Sequence, residues 1–306
     1  MARVVALLFV FLIAAGAWWW THPPDPDAEL RARMRPLQRL EREPAPQLGR
    51  GVERWRMIAT GDTVTALWKP GVRDANVAPW VVVLLGGIGT DDRAALLIPD
   101  GLPIDVLAVS WPWTGSRHMD TGEFLASVPD LREAMLRSPA AIARGVAAAR
   151  RARPGARVGL VGASLGVPPT VATLALAQVD ALVLIDGAAD LGRMMRAETA
   201  NVLGGGALAR AVASPAGALG ARLLAPLEPA RHGIAAVPPH PPVLIVDAEQ
   251  ERRFPPECVQ RLHAAFPGAT VVTHPGAHIR PQDRFTLIAI VGKVRPWLLA
   301  LAKPAS

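Results

Sequence analysis

The stretch Val158-Gly-Leu-Val-Gly-Ala-Ser164-Leu-Gly166 sets a serine between two glycines, where one apolar run stops and another begins. A serine hydroxyl is a weak nucleophile until a neighbouring base takes its proton. It must also stand clear of its surroundings. A buried strand turning directly into a helix achieves this, because strained backbone angles lift the serine while flanking glycines let strand and helix approach closely. Pro168 and Pro169 suit the first turn of that helix, where missing N–H donors cost little. The same five letters also arise as an ordinary tight turn in a glycine- and alanine-rich chain. The elements on either side therefore carry the argument.

Those elements follow a regular order. Arg54–Thr60 and Thr63–Trp68 flank Gly61-Asp62 and predict a hairpin with a glycine-first turn. Continuous apolar runs at Trp80–Leu85, Asp105–Ser110, Val158–Val161, Ala181–Ile185 and Val243–Val246, with Thr270–Thr273, read as strands buried on both faces. Helical patterns lie between or after them at 139–153, 165–178, 256–266 and 283–302. An antiparallel pair followed by strand–helix alternation predicts an α/β fold: a mostly parallel, doubly wound sheet with helices on both faces.

The composition narrows the classes. The chain has 306 residues and is 51% hydrophobic, enough for one large core. Its net charge of +7 comes almost wholly from arginine, and no compact basic cluster with interleaved aromatics points to nucleic acid. The single cysteine, Cys258, excludes an internal disulfide and a cysteine-based metal site. At the N-terminus, Met1-Ala-Arg3 precedes the uncharged stretch Val4–Trp20. This reads as a secretory signal cleaved near Ala15-Gly-Ala17, or as an uncleaved anchor with Trp18, Trp19 and Trp20 at the membrane interface. The chain is therefore expected to be exported, periplasmic or extracytoplasmic, or tethered to the membrane by residues 1–20. Residues 21–50 are expected to be a linker, and 51–303 the folded domain.

With the serine turn placed between this strand and helix, the chain resembles the α/β-hydrolase superfamily over roughly residues 51–303. The resemblance implies specific partners for Ser164. Oxyanion donors would be the Leu165 amide and one from Leu85-Gly86-Gly87-Ile88-Gly89, with Ile88 first and Gly87 second. In the loop after the last strand, His274-Pro-Gly-Ala-His278 matches the family's glycine, small residue, histidine pattern, which makes His278 the base. The family's acid is matched by Glu251, with Phe254 and Pro255 three and four positions on. Asp247 and Asp186 are the alternative acids. The stretch of about 187–242 is where the family inserts a small cap, and Trp111-Pro-Trp113 could line a pocket mouth or pack in the core.

The resulting expectation is a serine hydrolase of the carboxylesterase or lipase type. It would cleave a small-molecule carboxylic ester or thioester, with an apolar acyl part, through an acyl-enzyme. An acyltransferase, or a non-catalytic binding module of the same fold at the cell envelope, are the alternatives. No phosphate-binding loop, H-E-x-x-H or EF-hand pattern occurs, so no metal and no other cofactor is expected.

Overall fold

The computed structural model describes residues 20–22, 25–73, 78–87, 90–113, 121–235 and 241–301. The apolar segment 1–19 and Ile88, both singled out above, lie outside the described residues. No described helix is long and apolar enough to cross a membrane.

The strands are β1 (Arg39–Pro44), β2 (Glu53–Ala59), β3 (Asp62–Lys69), β4 (Trp80–Leu85), β5 (Ile104–Val109), β6 (Arg157–Ala163), β7 (Ala181–Ile185), β8 (Val243–Gln250) and β9 (Thr270–Ala277). They form one sheet in the order β1-β2-β3-β5-β4-β6-β7-β8-β9. Strands β1, β2 and β3 run antiparallel, β3 pairs antiparallel with β5, and every later pairing is parallel. The chain order reverses across β5-β4-β6, the kind of crevice where open α/β sheets bind ligands beyond the strands' carboxyl ends.

Helices are α1 (Pro26–Arg33), α2 (Ala94–Leu97), α3 (Thr121–Ala152), α4 (Val167–Ala172), α5 (Leu191–Val202), α6 (Ala207–Leu223), α7 (Pro229–Ala235), α8 (Pro256–Ala265) and α9 (Arg284–Leu301). The all-apolar runs of β4 and β5 are explained by burial on both faces. One face, with Val81, Val83 and Leu107, joins the core built with α3 and α4. The other, with Val82, Leu84 and Val106, joins Ala94 of α2 and Ile290 and Leu298 of α9.

Three expectations need correction. The 21–50 linker carries α1 and β1, which belong to the domain. Leu30 is fully buried, and Arg33 and Glu29 of α1 pair with Glu133 and Arg132 of α3, so α1 is docked on the domain. The hairpin turn is Thr60-Gly61 rather than Gly61-Asp62, because Asp62 pairs with Ala59 as the first residue of β3. Finally, α3 begins eighteen residues before the predicted start and runs through Pro129 and Pro139. The cap expected at 187–242 contains α5, α6 and α7, between β7 and β8.

Asp62 is drawn into the strand by two arginines of α3. Its carboxylate accepts from Arg137 at 2.5 Å and from Arg144 at 2.5 Å, and Arg144 is buried. Burial alone would raise the Asp62 carboxyl, but the hydrogen bond and charge of Arg144, then Arg137, hold it below its ordinary value. Its contribution to stability is therefore complete at neutral pH and is lost as pH falls through the depressed value. Asp62→Ala leaves the Arg144 cation buried without its carboxylate. It should cost about 3–5 kcal/mol at neutral pH in urea unfolding, and the difference from wild type should shrink in strong acid.

Candidate active site

Six of the candidate residues directly follow the carboxyl end of a strand, so the topology gathers them along one side of the sheet. Gly86 and Gly87 follow β4, Ser164 follows β6, Asp186 follows β7, Glu251 follows β8 and His278 follows β9.

Ser164 has φ = +54°, in the left-handed region that costs a residue with a Cβ roughly 1–2 kcal/mol. The packing around it leaves little alternative. A Cβ on Gly162 would come within 2.7 Å of Thr170 Oγ1, and one on Gly166 would collide with the backbone carbonyl oxygen of Leu85. Bare backbone at both glycines is what lets α4 start directly against β4 and β6. The strain is thus held in place by close contact between strand and helix.

Ser164 Oγ lies 2.7 Å from His278 Nε2, and His278 Nδ1 lies 2.7 Å from Glu251 Oε2. The three side chains form one continuous hydrogen-bonded chain. Glu251 is fixed from behind, since its Oε1 accepts from the Arg253 amide at 2.6 Å and the Phe254 amide at 3.2 Å. Burial would raise the Glu251 carboxyl. The hydrogen bond and charge of His278, with those two amides, outweigh it and hold the carboxyl below its ordinary value. Glu251 is consequently an anion beside the imidazole. The ring of Phe254 meets that imidazole edge-on, with centroids 5.2 Å apart and planes at 87°.

The two other carboxylates go elsewhere. Asp247 pairs with His263 of α8 at 2.7 Å, and burial pushes its carboxyl up. Its position follows from strand alternation: Asp247 lies on the same face of β8 as Ile245, the face that meets α8. Asp186, with φ = +46°, contacts His274 Nε2 at 3.0 and 3.1 Å and accepts from the Ile279 amide at 2.6 Å. Both Asp186 and His274 are buried, and burial raises the Asp186 carboxyl against the opposing amide and imidazole. This buried pair ties β7 to β9 and pins the residue next to His278. Asp186, one of the alternative acids, thus partners His274, and their pairing has no linear signal.

Potential metal ligands also meet here, since donor atoms of Asp186, Glu251 and His278 lie within 4.8 Å of one another. Those side chains already hold His274 and the Ile279 amide, the Arg253 and Phe254 amides, and Ser164, so the donor set is engaged in hydrogen bonds.

Gly87 and Leu165 line the same cavity as Ser164 and His278. Gly87 stands close enough that a Cβ there would reach 3.9 Å from that of Ser164. The glycine loop is held by a contact that the sequence did not announce, the buried indole N–H of Trp111 donating to the Gly86 carbonyl at 2.9 Å. Trp111 therefore both packs in the core and faces the cavity. The lone cysteine takes no part in this chain. Cys258 is buried between Ala188 and Phe254, and burial pushes its thiol up to about 11.

Comparison with solved structures settles the architecture. The structure is similar to acetyl xylan esterase 1 from a Thermoanaerobacterium species, with a TM-score of 0.58 over 92% of this chain and 95% of that one, at 13% identity. The chain has the α/β-hydrolase fold. Within that fold it is also similar to a Pyrococcus furiosus esterase (TM-score 0.56, 14% identity, 88% of this chain and 99% of that one). Similarity to the Pyrococcus horikoshii acylaminoacyl peptidase has a TM-score of 0.55 at 17% identity. It covers 88% of this chain but only 43% of the peptidase, so this chain spans less than half of that protein's length. The sequence matches no family model and no curated protein.

An α/β-hydrolase turn this tight makes a stability prediction. Gly166→Ala should lower the unfolding free energy by about 1–3 kcal/mol, as overpacking against backbone does. Thermal melts of the two proteins check it, and an unchanged midpoint would show that the turn can relax.

Proposed function

We propose that this protein is a serine hydrolase that cleaves a small-molecule carboxylic ester or thioester through an acyl-enzyme. The observation that carries the reading is the unbroken chain from Ser164 Oγ through His278 to Glu251, with both links at 2.7 Å.

In this mechanism Ser164 Oγ attacks the substrate carbonyl carbon and His278 Nε2 takes its proton. The tetrahedral oxyanion would be met by the Leu165 amide, with Ile88 or Gly87 expected to supply the second donor. Collapse breaks the bond to the leaving group, which departs with the proton from His278. Water then donates a proton to His278 and attacks the acyl carbon. The serine–acyl bond breaks, the proton returns to Ser164, and the carboxylic acid is released. Glu251, kept anionic, orients the imidazole and stabilises its cationic form; Asp186 and His274 act as positioning residues through the Ile279 amide.

Purified protein should be labelled covalently by a fluorophosphonate probe, while Ser164→Ala and His278→Ala should not. Labelling of Ser164→Ala at the wild-type rate would remove the serine from its role. Glu251→Gln should lower kcat for a short-chain aryl ester by about 10²–10⁴-fold, whereas Asp247→Asn should stay near wild type.

The same proposal places the enzyme outside the cytoplasm, with residues 1–20 as signal or anchor. Its support is the positive–apolar–small pattern of that segment. Residues 1–20 fused to a reporter active only after export should give signal, and a silent reporter would argue for a cytoplasmic enzyme.

A further inference from the structure

The cavity at Ser164 has a volume of about 560 Å³, within the range of small-molecule sites. Its shape is unusual for an edge-of-sheet crevice. One part lies under the cap, beside Met194, Met195 and Glu198 of α5 and Arg253. Another descends along the sheet face away from the loops, reaching Val82, Leu84, Ile104, Val106 and Val161.

Residual exposure inside the core traces this second part. The five strand residues just named are 4–7% exposed, whereas Ala108, Ala181, Val183 and Val246, in the same core layer but off the cavity, are 0%. The opposite sheet face at Val81, Val83 and Leu107 is also 0% exposed. The small exposure belongs to a void between layers.

Its origin is a short helix. α2 has only four residues, so it covers little of β4 and β5, and α9 packs over the remainder. α9 presents Leu287, Ile290, Val294 and Leu298 to the cavity, at helical spacing along one stripe. Among the described residues no charged side chain from the sheet enters this part, and Arg295 of α9 is the charged residue that lines the cavity from the helix side.

The depth follows from strand register. Ser164 lies just past Gly162, which pairs with Leu85, while Ile104 pairs with Trp80 five residues down β4. At ~3.3 Å per residue this is roughly 16 Å. An all-trans chain with C–C bonds of ~1.5 Å advances ~1.25 Å per bond, so roughly thirteen carbons fill that length.

We infer that the chamber between the sheet face and α9 binds an unbranched aliphatic chain attached to the scissile ester, making medium- to long-chain aliphatic esters the substrate class. The inference rests on the serine hydrolase reading for its chemistry, and on the chamber's lining for its selectivity. The sheet wall of the chamber offers only apolar side chains, Val82, Leu84, Ile104, Val106 and Val161. The shared ligand chemistry is an aliphatic chain, which could belong to the acyl or the alcohol side.

The test uses the full chain and p-nitrophenyl esters from acetyl to hexadecanoyl. kcat/KM should rise at least ~10-fold from acetyl to dodecanoyl, and then level off or fall at hexadecanoyl. Val106→Phe and Val294→Trp, which fill the chamber, should lower the ratio of dodecanoyl to acetyl kcat/KM at least ~10-fold. Retained acetyl hydrolysis also reports that each variant is folded. Comparing methyl dodecanoate with dodecyl acetate assigns the chain to the acyl or the alcohol side, according to which one loses turnover in the filled variants. A flat chain-length profile in wild type, or equal losses on both aryl esters in folded variants, would overturn the chamber. Should fluorophosphonate labelling fail, the hydrolase reading fails separately, and binding still decides the chamber. Ser164→Ala should bind a fluorescent fatty acid that dodecanoate displaces, and the same protein with Val106→Phe should lose that binding at least ~10-fold. Absent binding in Ser164→Ala would count against the chamber.

Discussion

The contact between the start of α4 and the ends of β4 and β6 is the constraint on which the site depends. Two glycines remove the side chains that would hold helix and strands apart, and the backbone of Ser164 is forced to positive φ as a result. That one turn sets the height of the hydroxyl above the sheet edge. The other site residues gain meaning only relative to it: His278 must arrive at hydrogen-bond distance, and the glycine loop after β4 must pass close beside it. The strain is affordable because the flanking parallel strands are buried on both faces and hold the turn from either side.

Around the hydroxyl, the fold gives each of three carboxylates a different imidazole. Glu251 holds His278, Asp186 holds His274, and Asp247 holds His263. The same chemical pair recurs with different surroundings. Burial raises the carboxyls of Asp186 and Asp247, while two backbone amides and His278 keep that of Glu251 depressed. The difference suits the proposed role of Glu251 as an anion facing an imidazolium, while the other two pairs hold strands and a helix together.

Much of the fold could be read along the chain because its causes are local. Continuous apolar runs mark β4 to β8, since strands covered on both faces have no polar alternation. The strand-to-helix step at Ser164 is equally local. The segment at 26–44 was harder to read, since its charges are balanced by α3, about a hundred residues away, and nothing nearby reveals that Leu30 is buried. The start of α3 was obscured by Pro129 and Pro139, which normally break helices.

For the site, the serine turn is legible in the sequence by itself, and the resemblance to the α/β-hydrolases adds a histidine in the loop after the last strand and a short set of acids. Those are properties of neighbouring residues. Only the tertiary structure shows which of these carboxylates stands beside His278, because β8 is irregular between Ala248 and Gln250, and Glu251 follows that irregularity. Up to Asp247, strand alternation directs side chains in a fixed order; beyond it, the Arg253 and Phe254 amides turn Glu251 toward His278. The chamber under α9 was likewise invisible in the sequence, since a void is defined by what a distant four-residue helix fails to cover. Chemistry that rests on adjacent residues was legible, and space enclosed by residues far apart in the chain was not.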